Sequence, residues 1–438
     1  MLSPADFAQR RTDLIQQMAP NSVAILSAAP ERLRNSNTEY AYRQDSYFWY
    51  LTGFPEPEAV AVLVADGGRG RFILFCRDRD KTMEIWNGVR AGQEGAKRDY
   101  GAEEAYSIQE IDERLPKLLE NRGRIYANLG ASAAFDQQLM GWVNQVRAKV
   151  RQGINAPTAF TQLTSLLDEM RLIKSEAEIA TMRESASIAA QAHVRGMQTV
   201  KPGMWEYQLE AEYLHEFMRH GARFPAYNTI VGGGSNACIL HYVENNQVLQ
   251  EGDLVLVDAG CEWQHYASDI TRTYPVNGRF TAPQQALYEV VLAAQLAAID
   301  AMQLGQPYYS GHEAALRVLT QGLCDLGLLS GDVNELIETR AYADFYMHGT
   351  GHWLGIDVHD VGSYRQSGEG RALKKGMVFT VEPGLYVAAD NTRVDEKWRG
   401  IGIRIEDNVV MTDNGPEVIT ADVPKSVAEI TALMAERK

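Results

Sequence analysis

Two rhythms of apolar spacing alternate along this chain. Between Asp6 and Met18 the apolar positions Phe7, Leu14, Ile15 and Met18 recur at helical spacing. Unbroken β-type runs follow at Ser22–Ser27, Ala59–Val64, Arg71–Cys76 and Arg124–Ala127, with helical stretches between them. That order predicts an α/β module over residues 1–172, a mixed sheet covered by helices. The aromatic run Tyr47-Phe48-Trp49-Tyr50 reads as core, whereas Trp86, beside a turn in Glu84-Ile85-Trp86-Asn87-Gly88, suits core and surface recognition about equally.

The pattern changes near 171–175, so a second domain is expected over 173–438. Ser175 and Glu178 form a capping-box pair, each side chain able to serve the other's backbone N–H. Behind it Ile179, Met182, Ala186, Ala189 and Ala190 mark one face of a long helix that Lys201-Pro202-Gly203 stops. A second helix, Trp205 to His220, ends at Gly221. Short β-like segments run from Asn228 to Pro275, another helix pair covers about 283–303 and 310–327, and strands return.

This order contains an internal repeat. Glu251-Gly252-Asp253-Leu254-Val255-Leu256-Val257-Asp258-Ala259-Gly260 aligns with Lys375-Gly376-Met377-Val378-Phe379-Thr380-Val381-Glu382-Pro383-Gly384. In each copy Gly opens a strand, and an acid followed by x-Gly closes it. Each copy follows a helix pair and a histidine segment, His241-Tyr242 in one and His348–His352 in the other. Each also precedes a second acid in a strand-like setting, Asp269 and Glu406. An α+β domain with a pseudo-two-fold repeat is expected, its matching carboxylates meeting on the seam.

Composition narrows the function classes. At 438 residues, two domains are expected, and 45% apolar with 23% charged residues is ordinary for a soluble globular chain. A net charge of −15 argues against nucleic acid or an anionic membrane as a general partner. The N-terminus lacks the basic and apolar regions of a signal peptide, and no apolar stretch is long enough for a membrane span. Cys76, Cys238, Cys261 and Cys324 are far apart and read as reduced thiols, which fits a cytoplasmic enzyme.

Singly, each acid has an ordinary explanation. Asp258 could cap a turn, Asp269 could pair with Arg272, and Glu406 with Arg404. Together, four acids at equivalent places in two halves would repel strongly without cations. With one imidazole, for which His352 in His348-Gly349-Thr350-Gly351-His352 is the stronger candidate, they form a hard, oxygen-rich set for two divalent ions. Mn²⁺ is favoured, with Co²⁺, Fe²⁺ or Zn²⁺ as alternatives. Two ions about 3.5–4 Å apart can hold a hydroxide between them and clamp a tetrahedral intermediate. His241 and His359 are candidate proton donors or oxyanion partners beside such a site. Val231-Gly232-Gly233-Gly234 lacks phosphate-loop spacing, and His312-Glu313 lacks the second histidine of a zincin motif.

The set Asp258, Asp269, His352, Glu382 and Glu406, with "HGTGHWLGIDVHDVG", "TVEPGLY" and "GIRIEDNV", resembles the pita-bread metallopeptidases. The resemblance runs over essentially the full length to their proline-specific aminopeptidase branch, and "YRQDSYFWYLTGFPEPEA" in the first domain points the same way. It implies a pita-bread catalytic domain and release of the first residue from peptides with proline second. By position it implies that those five residues hold the metals, with Asp269 and Glu406 bridging and Glu382 also carrying a proton. It further implies that His241, His348 and His359 line the substrate site and that Arg404 orients Glu406 or Asp258. Tyr386 and Trp86 are candidate substrate contacts. A dimer or tetramer, with one copy's N-terminal domain near another's active site, is implied too. Prolidase, restricted to Xaa-Pro dipeptides, shares the ligands and is the alternative. The complete ligand set counts against the creatinase branch and against a metal-free binding protein of the same fold, and the large first domain against a methionine aminopeptidase.

Overall fold

The computed structural model describes residues 2–67 and 69–436. They form two compact units, Leu2–Met170 and the chain from Arg171 onward.

The first unit is built on a six-stranded mixed sheet in the order Glu104–Ser107, Arg69–Cys76, Val60–Asp66, Ser22–Ser27, Arg124–Ala127, Ala159–Gln162. The central three strands pair antiparallel and the outer additions are parallel. Val60–Ala65 is buried throughout, because a central strand covered on both faces needs an unbroken apolar run. Val23, Ile25, Val62, Ile73, Phe75, Leu115 and Trp142 fill the core on one side. Phe48, Trp49 and Tyr50 are buried on the helix Ser46–Thr52, so the aromatic run is core. Trp86 lies not beside a turn but on the short helix Lys81–Asn87, where it is 79% exposed. The glycine-rich Ile230–Gly233 is a strand of the second unit.

The second unit opens with the helix Glu176–Thr199, capped as its sequence implies: Glu178 N–H donates to Ser175 Oγ at 3.3 Å and Ser175 N–H to Glu178 Oε2 at 2.9 Å. It pairs with Glu206–Arg219, and Ala282–Ala301 pairs with Ser310–Asp325. Strand order after each helix pair follows the repeat. In the first half, Leu254–Asp258 pairs antiparallel with Thr271–Pro275, and inside that hairpin Cys261–Trp263 pairs with Tyr266–Ala267. In the second, Val378–Val381 pairs with Asp407–Thr412, and inside it Gly384–Val387 pairs with Ile401–Arg404. The chain thus draws the same hairpin within a hairpin twice.

The acids sit where outer and inner pairs meet. Asp258 ends its strand, and Glu382 follows its strand directly. Asp269 and Glu406 are not within strands; each lies in the short gap before the returning outer strand. Such a gap frees the side chain from the alternation of a strand and turns it toward the seam. No helix among the described residues is long and apolar enough to cross a membrane. All four cysteines are free thiols.

Candidate metal centre

Two close backbone approaches bring the acids together. A Cβ on Gly260 would lie 1.7 Å from the Ser268 carbonyl oxygen, so only glycine lets the segment after Asp258 pass against the segment carrying Asp269. A Cβ on Gly351 would lie 2.0 Å from the Thr380 carbonyl oxygen. There the histidine loop closes on the second acid strand: Thr380 N–H donates to the His352 carbonyl at 2.9 Å and Glu382 N–H to the Thr350 carbonyl at 2.8 Å. The glycines of His-Gly-Thr-Gly-His therefore allow a pairing that sets His352 beside Glu382.

The halves are stitched by backbone as well. Glu406 N–H donates to the Thr271 carbonyl at 3.0 Å, and Asp269 N–H to Asn408 Oδ1 at 3.0 Å. Asp269, Glu406 and Arg404 are 4%, 1% and 3% exposed. Ligand atoms of Asp269, His352 and Glu406 all lie within 4.8 Å of one another. Asp258 joins them through Tyr227, whose hydroxyl reaches Asp258 Oδ1 at 2.5 Å and Asp269 Oδ1 at 2.7 Å. Glu382 Oε1 is 3.6 Å from His352 Nε2, and Asp269 Oδ2 is 3.3 Å from the same nitrogen. His352 Nδ1 meets its neighbour's carbonyl, Trp353 O, at 3.0 Å. A carbonyl only accepts, so Nδ1 carries a proton there and Nε2 is the nitrogen turned toward the acids.

Neither ordinary ion pair exists. Arg272 binds Asp407 at 2.7 Å, not Asp269. Arg404 donates to Asp258 Oδ2 at 2.7 Å, not to Glu406, which accepts from Thr271 Oγ1 at 2.7 Å.

The four carboxylates carry more negative charge than the protein's own cations relieve. Burial, then the charges of Asp269, Glu382 and Asp258, push Glu406 well above the usual carboxylate range. Burial pushes Glu382 up to about 7 and also raises Asp258. Burial acts on Asp269 the same way, yet the bond and charge of His352 outweigh it and hold it low. For His352 burial is outweighed by Asp269 and Glu382, which lift it to about 9. Protons held this tightly mark a place where divalent cations would replace them. The donors fit: carboxylate oxygens with one imidazole suit hard or borderline divalent ions.

These residues line a cavity of about 580 Å³ with an apolar side at Ile230, Leu240, Val243 and Val358. His241 and His359 stand on its wall, and the His359 ring is 4.1 Å from that of His352. Burial, then the charge of His352, lowers the His359 pKa. His348 lines the cavity too, but both its nitrogens are engaged, Nδ1 with the Gly349 carbonyl at 2.7 Å and Nε2 with the Tyr386 hydroxyl at 2.9 Å. Tyr386 is 1% exposed and accepts from Arg404 Nη1 at 3.0 Å, so it braces Arg404 and His348 from behind the wall. Trp86 belongs to the first unit. Tyr227 and Thr271 were not singled out by sequence; the one available signal is that Tyr227 just precedes the strand whose Ile230 pairs with Asp258.

A model of metallopeptidase family M24 matches residues 180–413, and one of the aminopeptidase P N-terminal domain matches 7–126. The chain belongs to metallopeptidase family M24. It is 48% identical over 436 residues to the Xaa-Pro aminopeptidase of Haemophilus influenzae, covering 99% of this chain and 98% of that one. The Pseudomonas aeruginosa aminopeptidase PepP structure superposes with a TM-score of 0.98 at 56% identity, covering 99% and 98%. A substrate complex of Escherichia coli aminopeptidase P superposes at 0.97 with 48% identity, covering 99% and 98%. The M24 match and these structures make the repeat domain a pita-bread fold.

Proposed function

We propose that this chain is an Xaa-Pro aminopeptidase, releasing the first residue from peptides whose second residue is proline. The observation that carries this reading is the convergence of Asp258, Asp269, His352, Glu382 and Glu406 on one cavity in a chain similar end to end to Xaa-Pro aminopeptidases. We assign those five residues as ligands for two divalent ions, Mn²⁺ before Co²⁺, Fe²⁺ or Zn²⁺. Bound there, the ions supply Lewis acidity toward the scissile carbonyl and make water a better nucleophile near neutral pH.

The residues do the rest. Glu382 takes the attacking water's proton on a carboxylate oxygen and returns it to the proline nitrogen as the C–N bond breaks and the C–O bond stands. That return matters because proline's amide nitrogen carries no proton and must gain one to leave as a secondary amine. His241 and His359 hold the carbonyl oxygen and the proline side from the cavity wall. Arg404 holds Asp258 in place. The peptide's free amine pairs with the buried acids, which limits cleavage to the first residue. We further propose a cytoplasmic homo-oligomer, dimer or tetramer, in which exposed Trp86 reaches substrate bound by a neighbouring copy.

Metal-loaded protein is expected to release residue 1 from Xaa-Pro-Yaa tripeptides. Turnover confined to Xaa-Pro dipeptides would make it a prolidase instead, and no metal on elemental analysis would leave only a binding protein.

A further inference from the structure

Beneath the acid strands of the first half lies a polar cluster that the mechanism above does not use. His193, on the helix Glu176–Thr199, is fully buried. Its Nε2 is 3.0 Å from the carbonyl oxygen of Ala259, the residue after Asp258. Ala259 N–H in turn donates to the carbonyl of Ile270, the residue after Asp269, at 3.0 Å. A carbonyl accepts only, so Nε2 carries the proton. Nδ1 faces the Tyr213 hydroxyl at 3.4 Å, and that oxygen is 3.0 Å from the Tyr274 hydroxyl on the returning outer strand. Burial keeps the imidazole neutral, pushed down to about 3. Tyr213 is seated by the same helix, where a Cβ on Gly196 would come within 2.3 Å of its ring.

The second half repeats the device with different chemistry. Gln295 sits six residues before the end of its helix, as His193 does in its own. It too is fully buried, and its amide donates at 2.7 Å to Asp407, the residue after Glu406. In each half, then, the first helix of the pair sends one buried polar side chain to the residue that follows a site acid. Chain fold alone does not require this, because an apolar residue would fill either place without placing a polar group in the core.

We propose that His193 is a positioning residue for the metal centre: by holding the Ala259 peptide, which is itself paired with Ile270, it fixes the spacing of Asp258 and Asp269. The proposal rests on the metal assignment above. A bond to the peptide carbonyl next to Asp258 leaves the carboxylate itself free, while a shift of that segment would move Asp258 relative to Asp269.

The test is calorimetric titration of the metal-stripped full chain with MnCl₂. Wild type that takes up no Mn²⁺ would remove the metal assignment itself; wild type that binds makes the variants decisive. His193→Leu is expected to weaken Mn²⁺ binding by about 10–100-fold. His193→Gln, which keeps an N–H donor, is expected to recover most of that loss. Affinity of His193→Leu within twofold of wild type overturns the proposal, and so does His193→Gln binding as weakly as His193→Leu. If His193→Leu does not fold, Tyr213→Phe, which removes only the hydroxyl against Nδ1, is expected to show a smaller loss in the same direction, and unchanged affinity there overturns the proposal.

Discussion

Arg404 reaches across the pseudo-two-fold seam to Asp258, Nη2 to Oδ2, at 2.7 Å with both side chains buried. The same guanidinium serves Tyr386 through Nη1 at 3.0 Å and Thr271 through Nε at 3.1 Å. One planar fork therefore orients an acid of the first half, a tyrosine of the second and the threonine that holds Glu406.

Replacing Arg404 should cost both geometry and charge. Arg404→Met is expected to lower kcat/KM and Mn²⁺ affinity by about 10–100-fold. Arg404→Lys should recover little, since a single ammonium cannot meet three fixed partners at once. Steady-state kinetics with titrated Mn²⁺ distinguish the two losses, and a fully active lysine variant would show that the fork is unnecessary.

Glu382 is the acid proposed to carry a proton as well as to bind metal. Glu382→Gln keeps the shape and an oxygen ligand but cannot accept a proton. Its kcat is expected to fall by about 10²–10⁴-fold. Near-normal turnover of an Xaa-Pro-Yaa peptide by this variant, with metal content confirmed, would assign the proton to another group.

Much of this arrangement was legible in the sequence, because a repeat is a long-range signal that survives without an alignment. Leu254–Asp258 and Val378–Val381 carry the same apolar run, and the acid-x-Gly that follows each marks the turn between outer and inner hairpins. What stayed hidden were the partners. Arg404 is two residues from Glu406, and only the resemblance offered Asp258, 146 residues away, which it binds. Tyr227 bridges acids 31 and 42 residues distant. Nothing in local spacing encodes those contacts, since they exist only once the two hairpins face each other. His348, which the resemblance places along the substrate site, does line the cavity, and only the structure reveals that Gly349 and Tyr386 also engage its nitrogens.

Metal removal should loosen the second unit. Asp258, Glu382 and Glu406, each raised by burial and by neighbouring acids, destabilise the fold when they ionise together without cations. Chelation is expected to abolish peptidase activity and lower Tm, and Mn²⁺ should restore both. Ligand linkage sets the scale: Mn²⁺ at about 1,000 times its Kd adds about 4 kcal/mol. Thermal unfolding of stripped and reloaded protein checks this, and identical Tm values would mean that the acids are relieved in some other way.

Below the loop that carries His359, Asp360 is held between two buried cations, Arg171 Nη2 at 2.6 Å and Lys174 Nζ at 2.8 Å. Burial alone would raise its pKa, but Lys174 and Arg171 outweigh it and hold the carboxyl below the usual carboxylate range. The sign of the pH effect follows. A folded pKa below the unfolded one contributes stability that is fully present above the unfolded value and is lost as pH falls through the folded value. This contribution should thus be intact at neutral pH and disappear only in acid below about 4. Asp360→Asn keeps the shape but takes its anion from buried Lys174 and leaves Arg171 with Asp357 in its place, a loss of about 3–5 kcal/mol at neutral pH. In denaturant titrations the gap between wild type and Asp360→Asn should narrow as pH drops from 5 toward 3. A gap that stays constant over that range would mean that Asp360 acts through packing and not through its charge.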